Sequence, residues 1–232
     1  MRIAVSSSTF RRPLAAAELT QLEWLEACAS RLGVDGVLAD VTDFPRRDAE
    51  YVAQLRKVAI DLALVPFGID AAGLLDPDAG GAGDAALALA GGFGAAIVRT
   101  LLPVPGDVPP AAFAAAVAAG KALGRAAKTA NVTVIVAAAA GTLGDDLGSV
   151  KRLLKDVDSA WLRPCPRALD PGPGPRDRVP AFAASSTDDP RAVAERAAGG
   201  WVILDAPAPE ALGPAIAALR DAAARLQLGA TS

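Results

Sequence analysis

Short apolar runs alternate with amphipathic stretches along the whole chain. Arg2-Ile3-Ala4-Val5 reads as a strand that leads into the polar segment Ser6-Ser7-Ser8-Thr9. Leu19, Leu22, Leu25, Ala29 and Leu32 then recur at helical spacing until Gly33 stops the helix. Further strands are predicted at 34–39, followed by Asp40 and Asp43, at 61–67, ending near Asp70, and at 95–101, which carries Arg99 and Thr100. The stretch 132–142, a β-branched run followed by Ala137-Ala138-Ala139-Ala140, reads as the fifth, a fully buried strand that ends at the mouth in methyl groups. Strands at 160–163, 181–185 and 201–204 complete the set, the last ending at Asp205. Helices are predicted between them at 49–58, 84–90, 109–130, 145–157, 190–198 and 209–226, with fraying at 229–232. The segment 164–180 is too rich in proline for a helix, so the sixth crossover is read as an extended Pro/Gly-rich loop, either a lid or the remnant of a lost helix.

Eight strand–helix alternations over 232 residues, about 29 per unit, predict a single α/β domain, residues 1–232, folded as a (β/α)8 TIM barrel. An open doubly wound sheet is the rival. It would place a glycine-rich turn directly after the first strand, and Ser6-Ser7-Ser8-Thr9 is not one. Gly91-Gly92-Phe93-Gly94 precedes a strand and is read as a helix stop.

Composition narrows the chemistry. Hydrophobic residues make up 52% of the chain and aromatics only 4%, which suits small side chains packing helices closely on a sheet. A net charge of -3 argues against nucleic acid or an anionic membrane as partner, and no apolar run approaches the roughly 18–20 residues that span a bilayer. Met1 to Thr9 enters strand-like sequence without a signal-peptide core, and two cysteines are too few for a disulfide framework, so a reduced cytoplasm is expected. Histidine is absent, which excludes Ser/His/Asp and Cys/His catalysis and His-ligated zinc.

The candidate site residues are those at strand ends. Asp40, Asp70 and Asp205 could bind Mg²⁺ or Mn²⁺ without histidine if they converge, or one could act as a base. They could equally cap helices or face water. Arg11, Arg12, Arg99, Arg163 and Arg167 fall at or just past strand ends. With the hydroxyls of Ser6, Ser7, Ser8, Ser185 and Ser186 they would suit a phosphate or carboxylate, unless they pair with nearby aspartates. Cys165 has arginine neighbours that would lower a thiol pKa, but a packed cysteine is the simpler reading, and Cys28 belongs to the core. Trp24, Trp161 and Trp201 are read as packing between helix and sheet, with sugar stacking as the alternative. Lys121, Lys128, Lys151 and Lys155 are solvated charge.

Several stretches in order resemble the sugar phosphate isomerase/epimerase family of xylose-isomerase-like barrels: Ile3 to Phe10, Trp24 to Val37, Ala95 to Arg99, Asn131 to Thr142, and Gly200 to Asp205. The resemblance implies a divalent metal at the C-terminal mouth, held by carboxylates and a histidine, and acidic residues that move a proton on a sugar. Measured against that pattern, the fifth strand ends in Ala137 to Ala140 in place of a glutamate. The seventh has Ala183-Ala184-Ser185-Ser186-Thr187 in place of His and Asp, and the sixth offers Arg163 and Cys165. Asp205 alone stands near the final acidic ligand. The expectation is a barrel without the family's metal ligands and without a cofactor, which binds a small polar or anionic, sugar-like molecule, with a sugar phosphate as one candidate. It would be a pseudoenzyme, or a metal-independent variant with Asp205 or Asp40 as catalytic group and Ser6, Ser8, Arg99, Arg163 and Ser185 binding the ligand. Two alternatives stand beside it: an active isomerase or epimerase using a relocated carboxylate site, and a non-catalytic interaction subunit. Homo-oligomerisation is left open.

Overall fold

The computed structural model describes residues 1–104, 109–139, 141–170 and 180–229. Eight parallel strands form one sheet: β1 (Arg2–Ser6), β2 (Gly36–Asp40), β3 (Val65–Asp70), β4 (Ile97–Leu101), β5 (Thr133–Ala137), β6 (Leu162–Cys165), β7 (Ala181–Ser185) and β8 (Trp201–Asp205). Their order is β6-β5-β4-β3-β2-β1-β8-β7. The two outer strands meet just past the end of β6, where Arg167 bridges Ala183. Ala183 N donates to Pro166 O at 2.9 Å and Ala168 N to Ala183 O at 2.7 Å. The result is a (β/α)8 barrel with a single short seam.

The helices wrap the outside: α1 (Arg11–Ala15), α2 (Gln21–Glu26), α3 (Ala49–Asp61), α4 (Ala82–Phe93), α5 (Pro109–Ala130), α6 (Leu147–Val157), α7 (Pro190–Arg196) and α8 (Leu212–Gly229). Local chemistry sets their ends. Thr20 and Glu23 form a capping box on α2, and Asp48, Asp146 and Asp189 cap α3, α6 and α7 by accepting a backbone N–H. The predicted helix through Leu32 exists, but its second half, Ala27–Leu32, is π-type before Gly33 ends it in the left-handed region. Gly94 ends α4 in the same conformation, as expected of a helix stop. Of the segment 164–180, residues 166–170 make the bridge and a turn. Residues 171–179 lie outside the described residues, as do 230–232, where fraying was expected.

Two strands lie further along the chain than the pattern predicts. Helix α3 continues through Asp61 because Leu55 and Ala59 still face the core, and Ala63 then turns with φ 58°, so β3 begins only at Val65. Asp158, with φ 51°, delays β6 in the same way. The shift places Asp70 at the last position of its strand and puts Arg163 in the interior of β6, paired in register with Ile135.

Alternation of side chains divides the core in two. One layer, with Val5, Trp24, Leu25, Val134 and Leu153, lies between strands and helices. The other fills the barrel and includes Leu38, Phe67, Ile97, Ile135 and Ile203. Trp24 packs between helix and sheet as expected. Trp201 does not, because as the first residue of β8 it points inward and stacks on Phe67 with ring centroids 4.3 Å apart. The Arg2 guanidinium lies 4.4 Å from the Trp201 ring centroid, over its other neighbours at the N-terminal end of the barrel. Gly36 makes room for that stack, since a Cβ there would lie 2.9 Å from Val65 O and 3.0 Å from the indole.

At the opposite, C-terminal end, Ser7 ties β1 to β2. Its Oγ accepts from Asp40 N at 2.8 Å and donates to Asp43 Oδ2 at 2.6 Å. The Asp43 side chain is only 4% exposed. Burial holds its carboxyl above the ordinary range; Ser7's hydrogen bond opposes the shift, the Asp40 charge adds to it, and Arg11 opposes it. Among the described residues no helix is long and apolar enough to cross a membrane.

Two outcomes follow. Gly36→Ala should lose about 1–3 kcal/mol in urea unfolding, by overpacking against Trp201 and the Val65 carbonyl, whereas Gly91→Ala, in open space on α4, should gain about 0.5–1 kcal/mol. Because the raised folded pKa makes ionised Asp43 a burden, its favourable contribution exists below the unfolded value and is lost as pH rises through the folded one. Asp43→Asn should therefore raise the melting temperature at neutral pH, with the difference shrinking as the pH falls toward the ordinary carboxylate range.

Candidate active site at the barrel mouth

The C-terminal mouth opens into a cavity of about 580 Å³. At its floor lies Arg99 of β4, pointing inward from a position in register with Asp70 of β3. Its Nε donates to Asp70 Oδ1 at 2.6 Å and its Nη2 to Asp70 Oδ2 at 2.9 Å. Nη1 donates to Asp205 Oδ2 at 2.8 Å, and Nη2 also reaches Asp205 Oδ1 at 3.0 Å. Four of the five guanidinium N–H groups thus meet carboxylates, in two paired contacts. The Arg99 and Asp70 side chains are 12% and 9% exposed, while Asp205 remains 43% open to the mouth. Burial alone would weaken the charge on Arg99, but the two carboxylates more than offset this and hold its pKa well above the usual value.

The serine run feeds the same cluster. Ser6 Oγ donates to Asp70 Oδ2, and accepts from Ser8 N at 3.2 Å and Ser8 Oγ at 2.9 Å. Ser6 itself is buried; Ser8 lines the cavity. Asp40 is engaged separately. Its Oδ1 caps the turn at Val41–Asp43 by accepting from Thr42 N at 2.8 Å and Thr42 Oγ1 at 2.6 Å, and its Oδ2 accepts from Arg11 Nη2 at 2.6 Å. Ser185, at the end of β7, lines the cavity and shares a hydrogen bond with Thr187 Oγ1 at 3.0 Å. Arg163 is two residues short of the strand end and is not among the described residues that line the mouth. Arg167, past the end of β6, does line it.

Cys165 is buried beneath the cluster. Burial pushes its thiol up to about 12 although the Arg99 charge opposes the shift, so it is a packed, neutral thiol. Cys28 is likewise raised to about 12 by burial in the outer core. The rest of the wall is methyl groups: Ala71 and Ala72 after β3, Ala137 to Ala139 after β5, Ala183 and Ala184 on β7.

The sequence resemblance implies carboxylates and a histidine around a divalent metal; the mouth supplies carboxylates, and the chain has no histidine. Among the described residues no group of three or more Asp, Glu, Cys or His is placed to hold an ion. Asp70 and Asp205 converge, but on a guanidinium, and Asp40 is occupied by Arg11 and Thr42. Sequence reasoning considered aspartate–arginine pairing without assigning partners. It missed Asp43 as the acceptor of Ser7 and Asp170 as the partner of Arg167 (Nε to Oδ1, 3.3 Å). The three-residue spacing of Arg167 and Asp170 was the available signal for the second pair.

No family model and no curated protein matches this chain. Solved structures do. A probable 3-DHS dehydratase of Bacillus anthracis is 16% identical and superposes with a TM-score of 0.73 over 95% of this chain and 98% of its own. The 3-keto-D-glucoside 4-epimerase of E. coli is 12% identical, with a TM-score of 0.72 over 95% and 99%. A xylose isomerase domain containing protein of Salmonella typhimurium LT2 is 12% identical, with a TM-score of 0.69 over 98% and 97%. At such identities the likeness lies in the backbone, and it agrees with the strand order and the sequence resemblance: the chain has the xylose-isomerase-like TIM-barrel fold.

Proposed function

We propose that this barrel binds a small polyhydroxylated molecule at its C-terminal mouth without a divalent metal. The observation that carries the reading is the Arg99 clamp. Two carboxylates of the mouth, Asp70 and Asp205, are already engaged by a guanidinium built into β4. A divalent ion would have to displace that guanidinium, which cannot lose its proton and is hydrogen-bonded four times. What remains for a ligand is a cavity of sugar size with methyl walls and a few oriented polar groups, which is how small-molecule sites are commonly lined. The sugar direction draws support from the fold neighbour named as a 3-keto-D-glucoside 4-epimerase.

One feature favours a second reading. Asp205 is the most open member of the clamp, so it can reach a ligand hydroxyl and accept a proton in a metal-free reaction. Both of its oxygens already accept from Arg99, which favours binding over turnover.

Calorimetric titration of chelator-treated protein with D-fructose or D-glucose should show binding that neither EDTA nor added Mg²⁺ or Mn²⁺ alters. Binding that appears only with a divalent ion would overturn the proposal. Arg99→Met should lose about 3–5 kcal/mol in urea unfolding, because it leaves Asp70 buried without its counter-charge. Asp205→Asn tests the second reading: it should cut turnover of a bound sugar far more than it weakens binding, since the amide oxygen still accepts a hydroxyl.

A further inference from the structure

We infer that the mouth is polarised along its depth, and that its ligand carries a hydroxyl-rich head, recognised at the floor by Ser8 and Asp205, and a terminal oxyanion held at the rim by Arg167. The inference rests on the reading of the mouth as a polyol site and adds an orientation and an anionic group to it.

The floor follows from where each proton goes. The Asp70 carboxylate, gripped by Arg99, can only accept, so Ser6 must donate its hydroxyl proton to Asp70. Ser6 Oγ is then the acceptor for both the backbone N–H and the hydroxyl of Ser8. The single hydroxyl proton of Ser8 is thereby committed inward, and only its lone pairs are left for a ligand in the cavity it lines. Asp205 is an acceptor as well, with 43% of its side chain open. Both groups require a donor opposite them. A sugar hydroxyl supplies one; a phosphate or carboxylate oxygen does not, and at this depth it would also meet the Asp205 charge.

The rim differs at Arg167, although the cavity lining also includes Asp188, whose Oδ2 accepts from Ser185 N at 2.8 Å. The Arg167 side chain is 56% exposed, and its one ion pair engages Nε alone, 3.3 Å from Asp170 Oδ1. Among the described residues its terminal nitrogens make no hydrogen bond, and the residue lines the cavity. Arg11, the other guanidinium there, already gives Nη2 to Asp40 at 2.6 Å. Arg167 therefore offers paired N–H donors to a phosphate or carboxylate. A molecule with hydroxyls at one end and an oxyanion at the other satisfies both zones in one orientation only.

Calorimetry with matched probes tests this: D-fructose against D-fructose 6-phosphate, D-glucose against D-gluconate, and inorganic phosphate alone. In each pair the oxyanionic member should bind about tenfold more tightly at low salt, with the advantage fading as salt is added. Arg167→Gln should remove that advantage and leave the neutral sugar's affinity unchanged, and Arg167→Lys, which keeps the charge without the paired donors, should restore part of it. Ser8→Ala should weaken both members of a pair by the same factor. Melting curves establish that each variant is folded. Equal affinity within the pairs, an advantage that survives Arg167→Gln, or inorganic phosphate binding as tightly as the sugar phosphate would overturn the inference. If no probe binds at all, the polyol reading falls as well; if neutral sugars bind without an oxyanion advantage, only the rim assignment falls.

Discussion

A guanidinium at the floor of a barrel mouth has to be neutralised, and the way Arg99 is neutralised organises the end of the molecule where a ligand would sit. Its partners come from β3 and β8, and through Asp70 the network extends to Ser6 on β1. One side chain on β4 thus fixes the ends of three other strands. Removing either member of such a pair is far more damaging than its net contribution suggests, since a buried charge is left alone. The Arg99 guanidinium acts as a structural cation, and the carboxylates around it take their orientation from it.

The barrel interior is filled unevenly along its axis, and the residue sizes explain why. At the N-terminal end Phe67 stacks on Trp201, the Arg2 guanidinium lies over the same indole, and Gly36 makes room for them. At the C-terminal end many lining positions are alanines, just past β3, at and past the end of β5 and on β7, and the volume they leave is the cavity. Alanine therefore has two roles in this chain. On α4 and α5 residues such as Ala86, Ala90, Ala116 and Ala127 let helices approach the sheet closely, and at the mouth the same small side chain leaves space.

Much of the architecture is legible from local pattern, because local physics determines it. The run 181–185 and the helix 109–130 fall where the pattern places them, since proline opens the helix and a buried apolar run makes the strand. The misplacements at β3 and β6 arise where a non-glycine residue, Ala63 or Asp158, adopts a left-handed turn that no simple pattern signals. Each displacement is small, yet it decides a site residue: it brings Asp70 to the mouth and keeps Arg163 away from it. The pairing of Arg99 with Asp205 spans 106 residues and exists only because the sheet curls until β8 stands across from β4. The inward turn of Trp201 is likewise a matter of strand parity, which a shift of one residue would reverse.

The seam between β6 and β7 links these themes. Elsewhere neighbouring strands share runs of paired residues, but here, among the described residues, one bridge at Arg167 and Ala183 joins the two. The residue whose backbone fastens the circle is also the one whose side chain stands at the entrance. A ligand held by that guanidinium, as proposed, would stabilise the closed cylinder by mass action, and amide exchange along β7 would slow in step with saturation.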